Sequence, residues 1–236
     1  MGVERKVAVI TGASRGIGAA LVKAYHDRNY RVVATSRSIK PSNNDEILIV
    51  PGDIADRKTA DRVICEGIAQ FGRIDTLVNN AGIFIAKPFT EYSEAEYVEI
   101  LGVNTAGFFH MTQIAIREML KRGSGHVVQI TASLADHASA RVPSVLASLT
   151  KGGLNGATRS LATEYAKRGI RVNAVALGAI NSPMNPPEWH AQLGALHLVG
   201  HIGEISDAVD AVLYLESAAF VTGEILHVDG GQSAGH

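Results

Sequence analysis

A single cysteine, Cys65, stands in the 236 residues, so no disulfide can form within the chain and a zinc site built from several cysteines is excluded. Charge of one dominant sign is missing as well. The 22 Lys and Arg balance 23 Asp and Glu to a net −1. Bulk charge therefore points to no nucleic-acid partner and no membrane-surface partner. No apolar run approaches the ~18 residues of a membrane span. The start, Met1–Lys6, lacks the apolar core of a signal peptide, and Lys6 stands where a myristoylation signal wants Ser or Thr. A cytoplasmic location is the expectation.

What is present is a globular balance, 46% hydrophobic and 19% charged, enough for a large core. Short apolar runs alternate with longer helical patterns. Strands are expected at 7–10, 31–34, 47–50, 75–78, 126–130, 170–175 and 224–228. Helices are expected at about 16–28, 57–71, 93–122, 145–167 and 205–215. The strands are almost continuously apolar, as when helices cover both faces of a parallel sheet. The pattern predicts an α/β fold, one doubly wound domain over residues 1–236 with about seven strands. About ten residues join Arg37 to Ile47, too few for a full helix, so that crossover is expected to be a loop.

The first strand runs into Thr11-Gly12-Ala13-Ser14-Arg15-Gly16-Ile17-Gly18, and a helical pattern follows. Glycines here would allow a tight turn, a backbone close to a pyrophosphate and a helix packed hard on its strand. The helix N-terminus would offer unpaired N–H groups and the positive end of its dipole. Taken alone, the same residues also describe an ordinary strand-to-helix turn.

More of the chain points the same way. Asp53-Ile54 follows the third strand, Asn79-Asn80-Ala81-Gly82 the fourth and Ser133 the fifth. Asn104 lies in the long helix and Lys151 in the next. Arg168–Asn173 leads into the sixth strand, and Val221-Thr222-Gly223 with Val228-Asp229-Gly230-Gly231 closes the chain. In order and extent these motifs resemble the short-chain dehydrogenase/reductase family, whose fingerprint is TGxxxGxG. The resemblance implies a Rossmann-type fold and an oxidoreductase acting on a small carbonyl or alcohol. It places a dinucleotide against Gly12, Ser14, Arg15, Gly16, Ile17, Gly18, Ser36, Arg37, Asp53, Ile54, Asn80, Ala81, Gly82, Lys151, Gly178, Ile180 and Ser182. The second strand ends Ala34-Thr35-Ser36-Arg37 with no carboxylate to accept a ribose 2′-hydroxyl, and Arg15 and Arg37 could hold a 2′-phosphate. NADP(H) is therefore expected over NAD(H), although both arginines could also be plain surface residues. Asp53 is read as an acceptor for the adenine amine or as a helix cap.

The same resemblance implies a catalytic Ser, Tyr, Lys and Asn. Ser133, Lys151 and Asn104 fill three of these places, as carbonyl-orienting, ribose-holding and water-organising residues. The Tyr four residues before the Lys is missing, and Ala147 stands there. A phenol with a pKa near 10 needs a neighbouring ammonium to work at neutral pH, so the surviving Lys151 has lost its partner. Leu149, Thr150 and Leu177 depart from the family as well, which reads as natural divergence rather than one engineered change. Ala147 is expected to leave open space beside Ser133 and Lys151. His137, Tyr92, Tyr97 or a water on Lys151 and Asn104 are the conceivable proton donors.

Pro183–Gly203 should close over substrate. Its Trp189, His190, His197 and His201 read as an aromatic-lined lid rather than a metal site. Two functions stay open: an NADP(H)-dependent oxidoreductase with a non-standard proton donor, and a catalytically silent dinucleotide-binding protein acting as redox sensor or oligomer partner. Apolar residues on helices 93–122 and 145–167, including Phe108, Phe109 and Met111, suggest a homodimer or homotetramer.

Overall fold

Val7–Thr11 is buried at every position, the mark of a strand covered on both faces. Alternate residues of this first strand serve different cores. Ala8 and Ile10 join one hydrophobic cluster, and Val7 and Val9 join the other. In the computed structural model, which describes residues 5–235, the same alternation organises seven strands. They are β1 (Val7–Thr11), β2 (Arg31–Thr35), β3 (Ile47–Ile49), β4 (Thr76–Asn79), β5 (Gly125–Ala132), β6 (Ile170–Leu177) and β7 (Ile225–Val228). All neighbours pair parallel in the order β3-β2-β1-β4-β5-β6-β7. The fold class read from the sequence is the one found. The N-terminal stretch read for targeting signals lies, through Glu4, outside the described residues.

Helices α1 (Gly16–Asp27) and α7 (Ile205–Ser217) bury Leu21, Tyr25, Val212 and Leu215 against one face. Helices α2 (Arg57–Phe71), α4 (Gly107–Arg122) and α5 (Val145–Tyr165) bury Val63, Met111 and Ala162 against the other. The connection from β2 to β3 has no helix, as its length required. Among the described residues no helix is long and apolar enough to cross a membrane.

The long helix expected at 93–122 is interrupted. Ser93 caps α3 (Glu94–Ile100) through a reciprocal bond pair with Glu96. A π-helical segment, Leu101–Ala106, then precedes α4. The wider turn carries Asn104, whose Oδ1 accepts from Ile83 N at 2.9 Å while its Nδ2 donates to Ile83 O at 3.0 Å. Insertions of this kind concentrate at functional sites, and hydrophobic periodicity does not reveal them.

At the N-terminal end of the sheet Glu216 is buried in a polar cluster. It accepts from His126 Nδ1 at 2.8 Å, Tyr30 Oη at 2.9 Å and Thr76 Oγ1 at 3.1 Å. Burial works against the carboxylate, but these bonds outweigh it and hold its pKa at about 2. Burial likewise lowers the pKa of His126, which stays neutral with Nδ1–H directed at Glu216.

Candidate active site

The sheet order reverses between β1 and β4, so the helices that follow them depart to opposite faces and open a crevice at the C-terminal strand ends. Threonine and asparagine side chains knit its two lips together. Thr11 Oγ1 accepts from Asn80 N at 3.1 Å and Ala81 N at 3.0 Å, and Asn80 Nδ2 donates to Thr11 O at 2.9 Å. Glycine is required where these lips meet. Gly12 has φ +65°, and a Cβ on it would sit 2.8 Å from Ala81 Cα. A Cβ on Gly18 would lie 2.2 Å from Gly12 O, so α1 packs directly on the turn.

The start of α1 is left ready for an anion. Its N-cap, Arg15, makes no side-chain cap bond, and its first turn holds no acidic residue. The early amides therefore keep their donors, with the dipole's positive end behind them. Ser182 and Pro183 close over this end, where a Cβ on Gly16 would meet Pro183 Cδ at 3.4 Å.

The cleft has a volume of about 520 Å³. All seventeen residues expected to hold a dinucleotide line it, from Gly12 to Ser182 and including Lys151. At its outer edge, beyond β2, Arg37 Nη1 stands 4.0 Å from Asp53 Oδ2. The helix-cap alternative for Asp53 goes elsewhere. Asp56 caps α2 by accepting from Lys58 N, while Asp53 Oδ1 accepts from Ala55 N at 3.0 Å and its carboxylate stays at the cleft wall. Ile54 is buried beneath it against Gly107, whose absent Cβ would meet Ile54 Cδ1 at 2.5 Å.

The inner end is floored by Ile130, Thr131 and Ala132 of β5 and by Lys151 of α5. Lys151 Nζ donates to Ile130 O at 2.7 Å, and burial lowers its pKa to about 8. Asn104 lies below, its Nδ2 also donating to Thr150 Oγ1 at 3.2 Å. A Cβ on Gly82 would lie 3.0 Å from Lys151 Nζ and 3.4 Å from Asn104 Oδ1. The floor thus joins Lys151, Asn104 and Gly82.

Ser133 is not brought to this floor. β5 continues through Ala132, which lines the cleft, and Ser133 opens a short 3-10 turn with its side chain fully buried. Its hydroxyl donates to Ala176 O at 3.4 Å. It also bonds Asp229, whose carboxyl is opposed by burial but held below its usual pKa by bonds from Ser233, Ser133 and two amides. Ser133, expected to orient a carbonyl, is thus placed inside the fold and not on the cleft wall. The strand ends at Ala132, and the 3-10 turn that begins at Ser133 carries that side chain into the fold.

Ala147 is 3% exposed and is not among the residues that line the cleft, whereas Leu134 and Val142 of the loop after β5 are. The open space beside Lys151 is the cleft itself, and Ala147 does not border it. Nor do the alternative donors reach the cleft. His137 is exposed, Tyr92 Oη donates to Ile85 O at 2.6 Å, and Tyr97 is exposed. The lid turns aliphatic residues inward: Leu193, Leu196 and Met184 line the cleft, whereas Trp189 is half-exposed outside it. His197 is a clamp, donating from Nδ1 to Asp229 O at 2.6 Å and accepting at Nε2 from Ala179 N at 3.2 Å. Among the described residues no group of three His, Cys, Asp or Glu is arranged to hold a metal. The sequence reading missed Ala132, Leu134, Val142 and Leu196. Only the end of β5 carried a signal, since counting alternate positions along that strand reaches 132.

Comparison with known proteins adds to this geometry. Residues 12–233 match the family model described as enoyl-(acyl carrier protein) reductase. The chain is 33% identical to 3beta-hydroxysteroid dehydrogenase 1 of Eggerthella lenta, over 98% of this chain and 95% of that protein. It is also 33% identical to the 3-oxoacyl-acyl-carrier-protein reductase FabG of Salmonella typhimurium, over 98% of each. A structure of ElxO with NADP bound superposes with a TM-score of 0.91 at 28% identity, covering 98% of this chain and all of that one. The 3-ketoacyl-(acyl-carrier-protein) reductase of Brucella melitensis, complexed with NADH, gives 0.90 at 29% identity, covering 98% and 99%.

Proposed function

The chain belongs to the short-chain dehydrogenase/reductase family of oxidoreductases, and from that premise we propose that it is an NADP(H)-dependent enzyme transferring hydride between the cofactor and a small, apolar carbonyl or alcohol. The observation that carries this reading is the glycine-cradled anion site at α1 continuing, along one cleft wall, to an edge holding Arg15 and Arg37 with no carboxylate at Ser36. The donor set fits a dinucleotide. Free helix amides suit a pyrophosphate, the two guanidiniums suit a 2′-phosphate, and Asp53 with Ile54 suits the adenine.

When bound, the cofactor supplies or accepts the hydride. The chain does the rest. Gly178, Ile180 and Ser182 position the nicotinamide end, and Lys151 offers donors to its ribose. Asn104 fixes the backbone of Ile83 at the wall. Leu134, Val142, Leu193 and Leu196 exclude water and favour an uncharged, apolar substrate. That the relatives are named as dehydrogenases and reductases favours an enzyme over a silent binder. NADPH consumption with a panel of apolar ketones and aldehydes, and NADP+ reduction with the matching alcohols, tests the proposal. Tight NADPH binding without turnover on any of them would return the silent binder.

We propose further that the protein works as a homodimer or homotetramer, a second copy covering the apolar face of α3–α5 where Val98, Phe109, Val145 and Leu149 are exposed.

A further inference from the structure

Around the inner end of the cleft the hydroxyl protons are already committed to backbone carbonyls. Thr131 Oγ1 donates to Val175 O at 3.5 Å, Ser148 Oγ to Leu134 O at 3.0 Å and Thr150 Oγ1 to Leu146 O at 2.9 Å. Ser133 is turned into the fold, and alanine stands at 132 and 147. Ser182 stands over the start of α1, its Cβ 3.8 Å from where a Cβ on Gly16 would be, and a serine hydroxyl does not titrate near neutrality. Asn185 and Gln232 are amides that do not titrate in water. Lys151 is the titratable group left among the residues lining that end.

We propose that Lys151 is itself the general acid of the reduction, its Nζ giving a proton directly to the oxygen of the substrate carbonyl. The proposal rests on the carbonyl reduction proposed above. The reduced dinucleotide provides the hydride for the new C–H bond while the carbonyl π pair moves onto oxygen. The new O–H bond takes its proton from Nζ, the ammonium becomes an amine, and solvent in the cleft recharges it.

Geometry and electrostatics agree. An ammonium carries three donors, and Ile130 O occupies one, which leaves two for a ribose hydroxyl and a substrate oxygen. Gly82, against which Nζ stands, has no side chain to come between it and the cleft. No carboxylate pairs with Lys151 among the described residues, and burial alone brings its pKa to about 8. A lysine so lowered is still mainly charged at pH 7, ready to donate, while its acidity is close enough to neutrality for efficient transfer. With alanine at 132 and 147 and Ser133 turned into the fold, the lysine is the working group rather than an accessory to a phenol.

The first measurement needs no cofactor. Reductive methylation of the apo protein across pH, read on the Lys151 peptide by mass spectrometry, should show half-maximal labelling rate near pH 8; a midpoint above 10 overturns the proposal. The second follows ketone reduction. For the wild type, kcat should fall tenfold per pH unit above about 8. Lys151→Arg keeps the charge but cannot release the proton, so kcat should drop by about 10²–10⁴-fold. Lys151→Ala should regain turnover with added methylamine or ethylamine, at rates that follow the amine's pKa, which a merely structural lysine would not show. Wild-type turnover undiminished in Lys151→Arg refutes the acid role alone. A wild type that reduces no carbonyl refutes the reading beneath it, and the acid role with it.

Discussion

Arg37→Asp probes the choice between the two dinucleotides at a single edge of the cleft. The Arg37 side chain is 63% exposed, and its guanidinium lies 4.0 Å from Asp53. Water therefore screens whatever it touches. At ~4 Å and the dielectric of water, one charge pair is worth about 1 kcal/mol. A phosphate monoester carries about 1.5–2 negative charges near neutrality, so Arg37 should contribute about 2 kcal/mol to NADPH and nothing to NADH. Arg37→Ala should then weaken NADPH by about 10–30-fold, since each ~1.4 kcal/mol is tenfold. Arg37→Asp replaces attraction with repulsion of like size beside an Asp53 that has lost its counter-charge. The NADPH-to-NADH affinity ratio should fall by about 10²–10³-fold, and less as salt shortens the ~10 Å screening length. Fluorescence titration of both cofactors at two ionic strengths measures it. A ratio that stays within threefold of wild type, or a wild type that binds NADH as tightly as NADPH, refutes the reasoning.

Three further expectations follow from the packing. Because Ala147 is enclosed, Ala147→Tyr should overpack α5 and cost about 1–3 kcal/mol, seen as a lowered Tm; a variant as stable as wild type with increased ketone reduction would show that the phenol finds the cleft after all. Glu216 has its folded pKa at about 2 against the usual 4.5, so its stabilisation is complete above about pH 4.5 and is lost as pH falls toward 2. The neutral, buried His126 adds a loss that begins as pH drops below its usual 6.5, so stability should decline from there downward in urea melts. At pH 7, Glu216→Gln should cost about 3 kcal/mol, at ~1.4 kcal/mol per pH unit, and flatten the profile between pH 4.5 and 2; an unchanged profile counts against the cluster. Phe109→Glu with Leu149→Glu should convert the assembly to monomers by light scattering at micromolar concentration, and a wild type already monomeric there removes the proposed interface.

The sequence by itself determined the sheet and the near half of the site. Continuous apolar runs separated by helical periodicities admit little besides a parallel sheet covered on both faces, and a run such as Val7–Thr11 shows this before any contact is known. The anion site was legible because it is local. Gly12, Gly16 and Gly18 lie within seven residues, and what they do, turn and pack, depends on backbone geometry that short sequences dictate. The far half was decided by tertiary structure. That Ala132 lines the cleft and Ser133 does not turns on where β5, at the end of its pairing with β6, gives way to a 3-10 turn. The π segment that aims Asn104 at Ile83 leaves the hydrophobic pattern of its helix unchanged. Ala147 shows a missing phenol in the sequence, but that this residue is enclosed and stands outside the cleft wall is a result of packing across the whole fold. The lowered pKa of Lys151 comes from burial by segments far from it along the chain, and burial is a property of the assembled fold.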